Sequence, residues 1–524
     1  MPEQFAPLAE RIVDALLASD PHVAYDAGDH RFDGQLQDFS AEGVAAQVSM
    51  LRDAANALAQ VDVDELGAED GVDHAQLSTA VDKRLFELTE VRSHEWNPLR
   101  HNPGSLLNAL LDREFAPAGI RLDSVRERLG AVPEALATAR ETLRECPAIH
   151  VETAIGQFAG VRRLIETRVP ELEAAAGFTV ETERANAVKA LEEFDGWLRA
   201  QRPGRDPRLG RRLWEGKLWY TLDTELSAAE VLARAEAAVE RVTAELAELT
   251  GGVPIREALN ALGAERPDNT TILGLARESF AEVTAFVREH DLVSLVDDPL
   301  VIEEMPEFAR GQAVAYCDPV GPFETAPVAT TYAISPTPAD WSAERVESFY
   351  REYNNHMIKN LTVHEATPGH YLQLAHARKF RGSSRARALC ESGPFCEGWA
   401  VYSEELMANA GYGGRAVKLT QLKMQLRMAI NAILDQLVHC EELTEAEGMA
   451  WMMDRGFQEE GEAAGKWRRA LLTSTQLSTY FVGYTEVAAI GAARPSGVTV
   501  RAWHDAMLAH GSPSPRHLAT LLGV

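Results

Sequence analysis

Cysteine is scarce in this chain and scattered. Five residues, Cys146, Cys317, Cys390, Cys396 and Cys440, form an odd set with no close pair at zinc-finger or redox spacing, which excludes a disulfide framework. Cys390 and Cys396 read as small buried apolar residues. Basic residues are also in short supply, 51 against 79 acidic ones. The resulting charge of −28 repels phosphate backbones and anionic lipid, so neither nucleic acid nor a membrane surface is an expected partner. No stretch approaches the roughly 18 uncharged apolar residues of a membrane helix. The opening MPEQFAPLAERIVDALLASD carries acids in an amphipathic pattern and lacks the basic-then-apolar order of a signal peptide, so it is expected to be a helix of a soluble, cytoplasmic fold. No fixed-period repeat and no low-complexity tract is present.

Apolar residues make up 46 % and charged residues 25 %, ordinary globular proportions for a chain of 524 residues. Apolar positions recur at helical spacing, as in AEVLARAEAAVERVTAELAEL (229–249) and VKLTQLKMQLRMAINAILDQLVH (417–439), which predicts a mainly α protein. Proline and glycine interrupt the pattern at 101–105, 201–208 and 249–254. The expected organisation is a helical lobe over 1–205, a helical connecting region over 206–300 and a lobe over 301–524 that holds the chemistry, with one integrated body as the alternative. AVAYCDPVGPFETAPVATTYAISP (313–336) has no helical period and is rich in Val, Thr and Tyr, so it predicts short edge strands or an extended hairpin.

The segment LTVHEATPGHYLQLAH (361–376) places His364, Glu365 and His370 within seven residues. In the common zinc motif H-E-x-x-H the histidines stand four apart and face one metal from one helix. Here they stand six apart, and at about 100° per residue an unbroken helix would point the rings about 120° away from each other. Pro368 cannot donate the bond that the carbonyl of His364 would accept, and Gly369 relaxes the backbone. The pattern therefore reads as H-E-x-x-H with a two-residue insertion that bulges the helix and realigns His370.

Catalytic zinc usually takes three protein ligands and leaves a position for water. SGPFCEGWAVYSEELM (392–407) can supply the third: Ser392 and Pro394 look like a helix start, which puts Glu397 in the first turn. Glu404, seven residues on, falls within about 20° of the same face and would accept a hydrogen bond from a ligand histidine.

HEATPGHYLQ (364–373) and EGWAVYSEEL (397–406) together resemble the bacterial family known as domain of unknown function 885, which is grouped with gluzincin-like metallopeptidases. The resemblance extends to SDPHVAYDAGDHRFDGQLQDFS (19–40) and RMAINAILDQLVHCEELTEAEGMAWM (427–452), and so spans nearly the whole chain. It implies a large helical metallohydrolase with a small strand-containing segment beside the active site. In it His364, His370 and Glu397 bind Zn2+ and Glu365 is the base. It implies no substrate. The family often shows Pro-Gly-Gln before Tyr-x-x-Gly; STQLSTYFVG (474–483) keeps Tyr480 and Gly483 but lacks the Pro-Gly.

With such a site Glu365 would take the proton of the attacking water, and Tyr480, by resemblance to tyrosines of related peptidases, would donate to the oxyanion, with a buried structural role as its alternative. Arg427, Asp435 and His439 share a helix face and either line the site or form an internal ion-pair network. Tyr332 could hold substrate backbone as edge strands do, or belong to the core. The leading expectation is a zinc-dependent hydrolase of a small peptide or amide. A zinc enzyme of specialised small-molecule metabolism, acting on one amide, hydrazide or related bond, and a metal-free binding protein are the alternatives.

Overall fold

The computed structural model describes residues 4–306, 310 and 313–524. It is mainly helical, with 69 % helix and, among the described residues, one small sheet of three strands. The expected amino-terminal helix runs over Phe5–Ser19; the first three residues of that stretch lie outside the described residues. All five cysteines are free. Among the described residues no helix is long and apolar enough to cross a membrane.

The chain divides into two compact units. The first comprises residues 1–207 with two later segments, 320–328 and 383–389. Its helices α1 (Ala118–Thr142), α2 (Ala148–Ala176) and α3 (Glu181–Arg199) present apolar residues three and four apart. Leu122, Val125, Leu129 and Val132 of α1 thereby share one core with Phe158, Val161 and Ile165 of α2 and with Leu191 and Phe194 of α3. The late segment 383–389 is tied into this unit by the buried Arg387, whose Nε donates to the buried Asp73 at 2.6 Å.

The second unit comprises residues 208–319, 329–382 and 390–524. Its helix α4 (Ala228–Thr250) starts at a capping box in which Ser227 and Glu230 satisfy each other's backbone donors, and α5 (Ile272–Glu289) follows. The sheet has the order β1 (Leu300–Glu304), β3 (Thr330–Ile334), β2 (Ala315–Asp318). β2 and β3 form the antiparallel pair expected for 313–336, with Ala315 opposite Ile334, and β1 adds in parallel on the other side. β3 is thus the central strand and not an edge. Tyr332 on it is fully buried.

Six helices then build the site: α6 (Asn355–Glu365), α7 (His370–Ala377), α8 (Gly393–Asn409), α9 (Gly414–Cys440), α10 (Glu460–Leu472) and α11 (Gln476–Ala492). Residues 428–436 of α9 are buried without interruption, which marks it as a helix enclosed on all sides. The approach of α8 to α11 depends on two glycines. A Cβ on Gly398 would stand 2.4 Å from the backbone of Gly483, and one on Gly483 would stand 2.0 Å from the carbonyl oxygen of Pro394.

Candidate metal centre

The helix that carries His364 and Glu365 starts where Asn354 accepts hydrogen bonds from the amides of His356 and Met357, and it ends at Glu365. The next four residues leave helical geometry before α7 resumes at His370. The break has its own ties: Gly369 N donates to Val363 O at 3.0 Å, Leu372 N to Ala366 O at 3.2 Å, and the indole of Trp399 to Pro368 O at 2.7 Å. Gly369 is present for close approach and not for a left-handed angle. Its φ is −70°, but a Cβ there would lie 1.9 Å from the carbonyl oxygen of His364. The chain thus doubles back on itself, and the two imidazoles meet edge to face with centroids 4.7 Å apart.

Glu397 comes from α8, whose start is fixed by Ser392 accepting from the amide of Phe395 and by Pro394 in the first turn. Its Oε2 lies 3.4 Å from His364 Nε2 and 3.5 Å from His370 Nε2. One ligand atom from each of the three residues lies within 4.8 Å of the others, so the set could hold one metal ion. Glu397 Oε2 is buried and accepts no aligned hydrogen bond from the protein. Burial would raise this carboxyl, but the two imidazoles beside it reverse the effect and hold it well below the usual carboxylate range.

Glu404, one helical stretch further along α8, accepts from His364 Nδ1 at 2.7 Å and from Asn360 Nδ2 at 2.6 Å. Burial lowers the affinity of His364 for a proton, yet contacts with Glu397 and Glu404 overcome this and leave it raised well above the ordinary value. Glu404 also fixes the proton on Nδ1, and that turns Nε2 toward Glu397.

Glu365 is 8 % exposed, and its carboxylate makes no hydrogen bond or ion pair among the described residues. Tyr480 stands one turn into α11. Its oxygen accepts from Gln476 Nε2 at 3.2 Å and from Arg469 Nη2 at 3.5 Å. Both partners are donors, and among the described residues no acceptor takes the phenolic proton. Burial, then the nearby Glu397 charge, push its pKa up to about 12, so the hydroxyl keeps that proton.

Three residues read from sequence as possible site walls act elsewhere. Tyr332 donates to or accepts from Thr362 Oγ1 at 3.2 Å inside the core, so it braces α6 and cannot contact substrate as an edge strand would. Arg427 is paired with Glu462 and Tyr353. His439 Nε2 meets the carbonyls of Ala470 and Thr473 at 3.0 and 2.9 Å, and its Nδ1 accepts from Leu209 N at 3.3 Å. The contribution of α9 is indirect. Asp435 accepts from Trp214 Nε1, Thr475 N, Ser478 N and Ser478 Oγ at 2.8–3.0 Å, and so anchors the start of the helix that presents Tyr480. Sequence spacing put Arg427, Asp435 and His439 on one face but could not say what that face meets. Asn360, Thr362 and Trp399 were missed altogether, because their partners lie 30 to 44 residues away.

Comparison with other proteins agrees with the shared motifs. The family described as bacterial protein of unknown function (DUF885) matches residues 21–522. Among curated proteins none matches the chain. A solved structure from Shewanella oneidensis, a protein of unknown function provisionally described as a lipoprotein, superposes with a TM-score of 0.84 at 28 % identity and covers 100 % of both chains. A second, from Colwellia psychrerythraea and with a similar provisional lipoprotein description, gives 0.82 at 15 % identity over 99 % of each, a likeness of fold alone.

Proposed function

The chain belongs to the DUF885 family, and from that premise we propose that it is a zinc-dependent hydrolase of peptide or amide bonds, of gluzincin type, with His364, His370 and Glu397 as ligands and Glu365 as general base. The observation that carries this reading is the triangle of ligand atoms. Donor atoms about 2.1 Å from one tetrahedral ion stand about 3.4 Å apart. The two Nε2 to Oε2 distances are 3.4 and 3.5 Å, and the shared Oε2 is otherwise orphaned in a buried position. Two imidazoles and one carboxylate are the donor set of many hydrolytic zinc sites.

A zinc ion held there supplies Lewis acidity and brings the pKa of a water toward about 7. Glu365, adjacent in sequence to a ligand and with a carboxylate free of partners among the described residues, takes the proton of the attacking water and returns it to the leaving nitrogen. Tyr480 donates its uncommitted proton to the developing oxyanion. Glu404 and Asn360 hold His364 in the required tautomer.

The test uses two variants. Glu365→Gln keeps shape and zinc but cannot accept a proton, and is expected to lose about 10²–10⁴-fold in turnover. Glu397→Gln is expected to lose zinc and activity together. Zinc content by elemental analysis and turnover across a panel of short peptides and amides decide the matter. A wild-type protein that binds no zinc, or a Glu365→Gln protein as active as wild type, would overturn the assignment.

A further inference from the structure

One face of α10 carries Glu462, Lys466 and Arg469 at spacings of four and three, and Glu459 caps the start of the helix. The acids on or against that face are already taken. Glu459 receives Arg351 at 2.8 Å, Glu462 receives Arg427, and the buried Glu352 receives Lys423 at 2.9 Å. Two cations remain. Lys466 is only 7 % exposed and has no hydrogen-bond or ion-pair partner among the described residues. Arg469 is half-buried, and among the described residues its guanidinium hydrogen-bonds only to neutral groups, Gln476 Oε1 at 2.7 Å and the Tyr480 oxygen at 3.5 Å.

Unpaired buried charge is expensive, and a protein normally neutralises it or pairs it. Burial and the repulsion of Arg427 bring Lys466 down to about 7, against the weaker pull of Glu462. An internal partner would have been easy to supply in a chain with 28 more acids than bases. The missing anion is therefore external, and its location follows from Arg469, which is one hydrogen bond away from Tyr480. Guanidinium and ammonium side by side, with an amide and a phenol nearby, suit a carboxylate.

We propose that Lys466 and Arg469 form the subsite that seats the carboxylate end of the substrate, so that the enzyme acts on short peptides or related acids bearing a free carboxyl terminus. This rests on the hydrolase reading above. It assigns Lys466 and Arg469 to substrate selection, while Tyr480 serves the oxyanion. The orientation of Arg469 is already set by Gln476, which lowers the entropy lost when a carboxylate arrives.

The experiment measures binding apart from turnover. Full-length Glu365→Gln protein loaded with zinc is titrated with a pool of N-acetyl dipeptides carrying free carboxylates, and with the same pool as carboxamides. The acid pool is expected to bind about 10- to 100-fold more tightly, the range of one or two hydrogen bonds to charged groups. Lys466→Met and Arg469→Gln should each cut that preference to a few-fold, and Arg469→Lys should restore part of it. The acid against amide comparison in Glu365→Gln leaves Lys466 and Arg469 unchanged, so it stands even where a variant of either residue folds poorly. Equal binding of the two pools, or a preference that survives both substitutions, overturns the subsite and leaves the hydrolase intact. Cleavage of amides by wild type with no binding of either pool also overturns it. Absence of both binding and cleavage sinks the hydrolase reading and this inference with it.

Discussion

Replacing Gly369 with alanine tests the geometry of the helix break directly. The added Cβ would stand 1.9 Å from the carbonyl oxygen of His364, 2.4 Å from that of Val363 and 2.6 Å from the carbonyl carbon of His364. All three are backbone atoms, so no side chain can swing aside. Ordinary carbon to oxygen contact needs about 3.3 Å, which requires a relative movement of about 1.4 Å. The movement acts on the hydrogen bond from Gly369 N to Val363 O, the tie that sets the distance between the two imidazoles. Overpacking of this kind costs about 1–3 kcal/mol and the strained hydrogen bond about 1 kcal/mol more, together about 2–4 kcal/mol. For a unit of this size that corresponds to a fall in Tm of roughly 3–6 °C. A displacement of about 1 Å at one ligand should weaken zinc binding by about 10²-fold. Thermal unfolding and competition with a zinc chelator measure the two effects. The control is Gly130→Ala, in the middle of α1 with nothing within 4 Å of the added carbon, where the substitution should stabilise by about 0.5–1 kcal/mol. A Gly369→Ala protein that melts and binds zinc as wild type does would refute the argument that close approach at this glycine sets the site.

Two further outcomes follow. Tyr480→Phe should keep zinc and fold, since its oxygen only accepts from Gln476 and Arg469, but lose about 10²–10³-fold in kcat through the missing oxyanion donor; unchanged kcat would assign the tyrosine to structure. Lys466 titrates near 7 in the folded chain and near 10.4 in an unfolded one, so between those values the unfolded state holds more protons and stability rises with pH. The cost of the charged lysine is fully present below about pH 7. Lys466→Met should therefore stabilise by on the order of a few kcal/mol at pH 6.5 and by little at pH 10.5, as urea unfolding at the two values would show. A gain independent of pH would contradict a buried, unpaired lysine.

Much of the centre was legible because its information is local. Six-residue spacing interrupted by Pro368 and Gly369 demands a break, and the break is present; Ser392 and Pro394 announce a helix start that places Glu397 and Glu404 on one face. Periodicity alone gave the helical class, because an amphipathic stripe is written in every three or four residues. The strand pair of 313–336 was legible from its composition, but β1 was not, and without β1 the central position of β3 and the burial of Tyr332 could not be foreseen.

What tertiary structure decided is what each side chain meets. Spacing shows that Arg427, Asp435 and His439 share a face, but only packing assigns Asp435 to the start of α11 and His439 to the carbonyls at the end of α10. Gly398 and Gly483 are 85 positions apart in sequence, yet their lack of side chains brings α8 and α11 close enough for Tyr480 to feel the charge of Glu397. The same holds for Lys466: nothing in its neighbours along the chain says that Arg427 has already claimed Glu462. Local sequence determines backbone geometry through sterics and hydrogen bonds a few residues apart. Which charges stay unpaired, and so what the protein can bind, depends on groups that only folding brings together.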